Sequence, residues 1–353
     1  MFLPNYMILL LCMGEIHKDT WRRLYELAVE FRKLAPWEWM YDTDLFGVRN
    51  PQTGEVGYCC IMGREKRFLG MAVYRGRAGL ASYEHLQEVN VDHPLLPPTP
   101  AFEQDCLMLS YNNREELDEA AHARIRSLGV KFRGRSHWPD FHDYSPGMVR
   151  WPIQTEAQAQ FLLVAMEQAI EVAVRCREDQ DLLDHVEDSA PCLLVRQVQP
   201  GGRWDDRWLP IEPFQPEAPT VQVNTLYLRS NTQGLPRNHA IWLADIFYFP
   251  NPVQEEASRP YLPVMLILVQ QDSGMILGHG VFRPGEVEEQ LQQVFITTVR
   301  SQGYLPERIQ VVSLSAVAYW EQLCRLLDID LDLIDDASLI DDIKLSLFGS
   351  MSL

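Results

Sequence analysis

The sequence has no C-x-x-C pair, no apolar run near the ~20 residues that span a bilayer, no low-complexity tract and little positive charge. The seven cysteines, Cys12, Cys59, Cys60, Cys106, Cys176, Cys192 and Cys324, are odd in number and widely scattered. They form neither a disulfide framework nor a zinc ribbon, so a reduced cytoplasmic setting is the expectation. The motifs G-x-x-x-x-G-K-[ST], strand-linked G-x-G-x-x-G, G-x-S-x-G and H-E-x-x-H are also missing, which removes the common nucleotide-binding and hydrolase routes. The run Met7 to Met13 lacks the basic flank and small-residue cleavage site of a signal peptide. Met13 as the native start, after a short extension, is the preferred reading over a signal peptide.

Positive charge is the scarcest commodity: 31 basic against 49 acidic residues leave a net charge of -18. From Pro219 onward, 8 basic and 16 acidic residues give -8, which leaves -10 for the first part. Such a surface repels phosphate backbones and anionic lipid. No membrane partner is expected, and a nucleic-acid contact would need a local basic patch. What remains is ordinary globular composition, 46% hydrophobic and 23% charged, in a chain of 353 residues, long enough for two cores.

The first part reads as α+β, a helix followed by antiparallel hairpins. Trp21, Leu24, Tyr25, Leu27, Ala28, Phe31 and Leu34 recur at helical spacing until Pro36 closes the helix. Strands are predicted at Leu45 to Val48, Val56 to Met62 and Phe68 to Tyr74. A glycine turn, Arg75 to Gly79, leads into a helix near Ser82. After the proline-rich connection Pro94 to Pro100 come a strand at Cys106 to Ser110, a helix opened by Asn112 or Asn113, and an aromatic loop, His137 to Tyr144. A long helix from Thr155 to Arg177 carries a capping box, Thr155 with Gln158. Residues 1–178 form the first domain, 179–219 a proline-rich, partly ordered linker in which Cys192 to Gln199 and Arg203 to Ile211 could pair, and 220–353 the second domain.

In the second domain strands are expected at Ala240 to Phe249, Leu262 to Gln270, Met275 to Phe282, Arg308 to Leu314 and Asp328 to Ile334. Helices are expected at Glu286 to Gln302 and Ser315 to Leu327, giving the order βββαβαβ. Asp245 stands in the middle of the first strand, apolar on both faces, where a charge must be paired, protonated or bound to a cation.

Four other clusters invite chemistry. Arg124, Arg126, Lys131, Arg133 and Arg135 with Phe132 are the candidate phosphate or nucleic-acid contact, against a solvated face. Arg64, Lys66, Arg67, Arg75 and Arg77 would extend this patch if the hairpins lie alongside. The two histidines and two acids of His137 to Tyr144 could bind zinc or iron, but their spacing fits no zinc motif and the aromatics suit packing. The seven aspartates from Asp328 to Asp342 lack the EF-hand spacing, and the alternation of Asp328, Asp330 and Asp332 with apolar residues suits a strand.

The order βββαβαβ with an acid in its first strand resembles the mixed-sheet ribonuclease-H-like fold of integrases, transposases and ribonucleases H. That resemblance implies two metal ions on carboxylates. Here Val311-Val312-Ser313-Leu314-Ser315 places serine where the family has its second acid, so the resemblance is to a degenerate member. The metal reading would hold Mg²⁺ or Mn²⁺ on Asp245, Asp341 and Asp342, with Asp335 and Asp336 after the last strand and Glu288 and Glu289 of the first helix as the other acids on offer, and make the chain a nuclease or phosphodiesterase. Trp21 to Tyr25, Pro36 to Met40, Pro51 to Glu55, Tyr74 to Leu80, Asp272 to Gly278 and Leu305 to Ile309 resemble a bacterial two-domain family of uncharacterised proteins. The leading expectation is a non-catalytic binding or regulatory module whose partner, protein or nucleic acid, meets the aromatic and basic surface of the first domain. A third reading, an assembly subunit, rests on Trp37, Trp39 and Trp138.

Overall fold

The computed structural model describes residues 15–88, 99–184, 191–214, 219, 221–256 and 258–350. The run Met7 to Met13 and most of the connection Pro94 to Pro100 lie outside them. Two compact units divide the chain, one made of residues 1–88, 104–146 and 150–214, the other of 89–103, 147–149 and 215–353. Each is α+β with a mixed sheet, and eight α-helices occur among the described residues.

The first unit begins with α1 (Lys18–Leu34), whose apolar stripe Trp21, Leu24, Tyr25, Leu27, Ala28 and Phe31 is buried. Ala35 ends it in the left-handed conformation, donating its N–H to Phe31 O at 3.0 Å. Strands β1 (Phe46–Arg49), β2 (Val56–Met62), β3 (Gly70–Arg75), β4 (Cys106–Asn112), β5 (Trp138–Tyr144) and β6 (Trp151–Pro152) follow, with α2 (Gly76–Glu88) after β3 and α3 (Glu119–Leu128) after β4. Next, α4 (Glu156–Glu178) opens with the expected capping box, Gln158 N donating to Thr155 Oγ1 at 3.2 Å and Thr155 N to Gln158 Oε1 at 3.1 Å. The hairpin β7 (Cys192–Val198) and β8 (Trp204–Pro210) completes an eight-stranded sheet in the order β6-β5-β4-β3-β2-β1-β7-β8. Helices α1, α3 and α4 bury the main core on one face, while α2 covers Cys60, Ala72 and Tyr74 on the other.

Several expectations change. His137 to Tyr144 is not a loop: Trp138–Tyr144 pairs with β4 along its length. Its proline, histidine and two aspartates argue against a strand, but β6 reaches only His142 and Asp143, so Pro139 needs no partner on its outer side. The helix expected from Asn112 or Asn113 is a single 3₁₀ turn, Arg114–Glu116, boxed by Asn113 and Glu116. The α-helix starts later, where Asp118 Oδ1 accepts from Ala121 N at 2.6 Å. Arg75 is no turn residue but the end of β3, and α2 starts at Gly76, whose φ of +57° makes the corner. Cys192 to Pro210, expected within a linker, is a hairpin as suggested. Its β7 lies parallel to β1, pairing Gly47 with Val195 and Val48 with Arg196.

The second unit contains α5 (Thr225–Thr232), β9 (Arg237–Tyr248), β10 (Val264–Gln270), β11 (Ile276–Phe282), α6 (Val287–Gln302), β12 (Leu305–Val311), α7 (Leu314–Leu327), β13 (Asp330–Leu333) and α8 (Ser338–Ser350). The order βββαβαβ is therefore present, and β12 begins three residues before its expected start. The sheet runs β11-β10-β9-β12-β13, antiparallel among the first three strands and parallel from β9 to β13. Helices α5, α6 and α7 bury one face around Trp242, Phe295 and Trp320. On the other face α8 lays Leu339, Ile340, Ile343 and Leu347 over Leu243, Phe247, Ile267 and Val269.

Candidate functional site

Asp245 shares the α8-facing side of β9 with Leu243 and Phe247, and is 3% exposed. Its charge is matched from α8: Lys344 Nζ lies 2.6 Å from Asp245 Oδ2 and 3.8 Å from Asp341 Oδ1. Asp245 Oδ1 accepts from Ile246 N at 2.9 Å. Lys344 also stands 5.0 Å from the centroid of the Phe247 ring, so the ammonium is enclosed by a carboxylate and an aromatic face. These groups line a cleft of about 420 Å³ together with Ser313, Ser315 and Tyr319. Ser313 Oγ accepts from Ala316 N at 3.2 Å and so caps α7.

This arrangement does not fit a divalent metal. The carboxylate that would bind it holds an ammonium instead, Ser313 supplies a helix cap, and Asp342 points to solvent. Among the described residues, no three of His, Cys, Asp and Glu converge as a metal site would require. Asp330 and Asp332, of the aspartate cluster, are taken by Arg308 at 3.2 and 2.8 Å.

The basic residues of the first unit gather differently. Arg126 from α3, Lys131 and Arg133 from the following loop, and Arg114 surround a groove of about 870 Å³ whose aromatic groups are Phe132 and Trp138. Arg133, Arg135 and Asn113 line an adjoining groove of about 580 Å³. Phe132 packs between Tyr25 and Trp138, at ring-centroid distances of 5.6 and 5.9 Å. Among the described residues, Arg126, Lys131, Arg133 and Arg135 have no carboxylate within ion-pair distance, although Glu119 lines the first groove and Glu115 the second. Arg124 plays another part: its guanidinium stacks 3.8 Å from the Trp21 centroid and beside Tyr25, whose hydroxyl burial pushes up to about 12.

The hairpin cations do not extend this patch. Arg75 donates from Nε to Asp105 and from Nη1 to Asp143, both at 2.6 Å, and from Nη2 to Tyr144 O. Arg64 donates to Glu38 O and lies 4.3 Å over Tyr41, and Arg67 pairs with Glu65. Nor do Trp37 and Trp39 join Trp138 in an exposed surface: Trp37 is 3% exposed and Trp39 Nε1 donates to Ala173 O at 2.9 Å. Of the histidine cluster, His137 Nδ1 lies 2.6 Å from Arg135 O, while His142 is buried near Asp140.

Two residues escaped the sequence reading. Arg114 had no signal beyond its charge. Lys344 had one, being the sole lysine after Lys131.

Among the described residues no helix is long and apolar enough to cross a membrane. No curated protein matches the chain. Among solved structures, the catalytic core domain of HTLV-2 integrase in complex with magnesium (trimeric form) aligns at 16% identity over 31% of this chain and 67% of that one. The TM-score is 0.22, too slight a likeness to support an assignment. Residues 21–196 match the family model described as Domain of unknown function (DUF7309), residues 229–348 match Domain of unknown function (DUF6930), and the chain thus joins two domains each with its own family model.

Proposed function

We propose that the chain is a non-catalytic binding protein, whose first domain takes single-stranded nucleic acid in the groove between α3 and Trp138. The observation that carries this reading is a set of cations without acidic partners, gathered round aromatic rings in a chain of net charge -18. Ion pairing with a neighbouring acid is the easy fate of an arginine on so acidic a surface. Arg126, Lys131, Arg133 and Arg135 lack that neutralisation, so their field is available to an anion. Phe132 and Trp138 add flat apolar surface, on which bases stack at about 1–3 kcal/mol each, and this favours nucleic acid over an acidic peptide.

The second domain, in this reading, is a ribonuclease-H-like domain that keeps the strand order and has lost the metal chemistry. Its boundary with the first lies near residues 214–220. The reading as a nuclease with Mg²⁺ or Mn²⁺ on Asp245, Asp341 and Asp342 is not favoured, because Lys344 already neutralises Asp245.

The test is fluorescence anisotropy of a labelled single-stranded RNA of about twelve nucleotides, at several salt concentrations. Binding that weakens with salt, and at least about tenfold in Arg126→Glu/Arg133→Glu, is expected. An RNA that does not bind, or binds the variant equally well, overturns the proposal.

A further inference from the structure

Each sheet has two edges, and among the described residues three of the four edge strands carry devices that discourage pairing with another chain. β6 is two residues long. β8 carries Asp205, Asp206, Arg207 and a terminal Pro210. β13 is four residues long and presents Asp330 and Asp332. Short length, charge and proline are the means by which proteins blunt an exposed edge.

β11 has none of them. It is seven residues, Ile276-Leu277-Gly278-His279-Gly280-Val281-Phe282, without a formal charge or proline, and among the described residues it pairs only with β10. Part of its apolar surface lies open: Val281 is 56% exposed, Ile276 37%, and Met275 just before it 55%, while Leu277 and Phe282 pack against the core. The neighbouring α6 presents uncharged residues beside this strand, with Glu289 one turn before them on the same helix face. Gln293, Thr297 and Ser301, spaced four apart on one helix face, line with Leu277, Gly278 and His279 a groove of about 310 Å³. The two elements are in close contact, since a Cβ at Gly278 would stand 1.9 Å from Thr298 Oγ1.

The order of side-chain types along β11 is the same in both directions: two apolar residues, glycine, histidine, glycine, two apolar residues. An antiparallel neighbour of the same sequence, centred on His279, would set Ile276 against Phe282, Leu277 against Val281 and each Gly278 against Gly280. A two-fold interface must be complementary to itself, and this strand meets that condition. The ladder of β11 with β10 shifts register opposite Leu268 and Val269, near one end, so Gly278 to Phe282 is the regular part of the template.

We propose that β11 is the interface for a second copy of this chain. Two β11 strands pair antiparallel about an axis at His279, joining two five-stranded sheets into one, with the Gln293, Thr297 and Ser301 faces of α6 flanking the seam. So small a contact gives a concentration-dependent dimer rather than a permanent one.

The test is sedimentation velocity from about 1 to about 200 μM. A monomer–dimer equilibrium is expected, with the dissociation constant raised at least about tenfold by Val281→Lys, an edge lysine on an exposed position. Circular dichroism should show the variant folded. Independently, His279→Cys should form a covalent dimer under mild oxidation, because residues facing each other across the axis have Cβ atoms about 4.5–5.5 Å apart. The parent chain and Leu333→Cys, on the β13 edge, should not. Should Val281→Lys fail to fold, the cross-link decides alone. Monomeric mass throughout, a dimer indifferent to Val281→Lys, or no selective cross-link at residue 279 overturns the proposal.

Discussion

Lys344, on the last helix, reaches through the apolar packing of α8 to place its ammonium 2.6 Å from the carboxylate of Asp245, on the central strand of the second sheet. Their side chains are 16% and 5% exposed, so the pair is shielded from water. Removing one partner of such a pair leaves an uncompensated charge, which costs more than removing both. Lys344→Met should lower the stability of the second unit by about 3 kcal/mol in urea unfolding. The double variant Asp245→Asn/Lys344→Met should recover most of that loss, and equal losses in both variants would show that the pair does not act as a unit.

The same pair makes a prediction about metal. Titration of Mn²⁺ into the wild-type chain by calorimetry should give no saturable heat, and Asp245→Asn should behave identically. Saturable heat in the wild type that vanishes in Asp245→Asn would restore the metal reading of this cleft.

His142 makes the first unit sensitive to acid. Burial holds its imidazole below the ordinary value of 6.5; nearby Asp140 opposes this and Arg150 supports it. The folded state therefore binds this proton less readily than the unfolded chain does. Stability from His142 is complete above about pH 6.5 and falls as the pH drops from there towards the lowered value. Thermal unfolding between about pH 7.5 and 5.5 should show a steeper loss in the wild type than in His142→Asn, and parallel curves would refute the assignment.

Gly70 is a packing test. A Cβ there would stand 2.2 Å from the backbone oxygen of Leu109 on the neighbouring strand, which cannot turn aside as a side chain can. Gly70→Ala should cost at least about 1–3 kcal/mol, read from the urea midpoint, and a neutral result would mean that β3 and β4 separate easily.

Local periodicity carried most of the fold. α1, α4, α6 and every strand of the second unit could be read from apolar spacing and caps, since in these segments the residue pattern and the tertiary environment agree. β5 could not, because Pro139, Asp140 and Asp143 argue against a strand that exists through its pairing with β4. β7 was legible as one arm of a hairpin, but its parallel pairing with β1 was not, because β1 lies far back in the chain.

The candidate sites were legible only in part. Asp245 announced itself as an acid among apolar neighbours, and the cluster from Arg124 to Arg135 by its charge. Which cation answers Asp245, and which arginine of the cluster is already committed to Trp21, depend on helices meeting across long sequence distances. No spacing rule reports that.

The parallel pairing of β7 with β1 also sets an order of events during synthesis. The chain from α1 to α4 can collapse as it emerges, but the open side of β1 waits for residues near Val195 before it gains its neighbour. Until then a nascent first domain presents a bare strand to whatever surrounds the ribosome. A chain cut at residue 178 would keep that exposure permanently. Its tendency to aggregate would thus arise from an unfinished sheet, with the core beneath already in place.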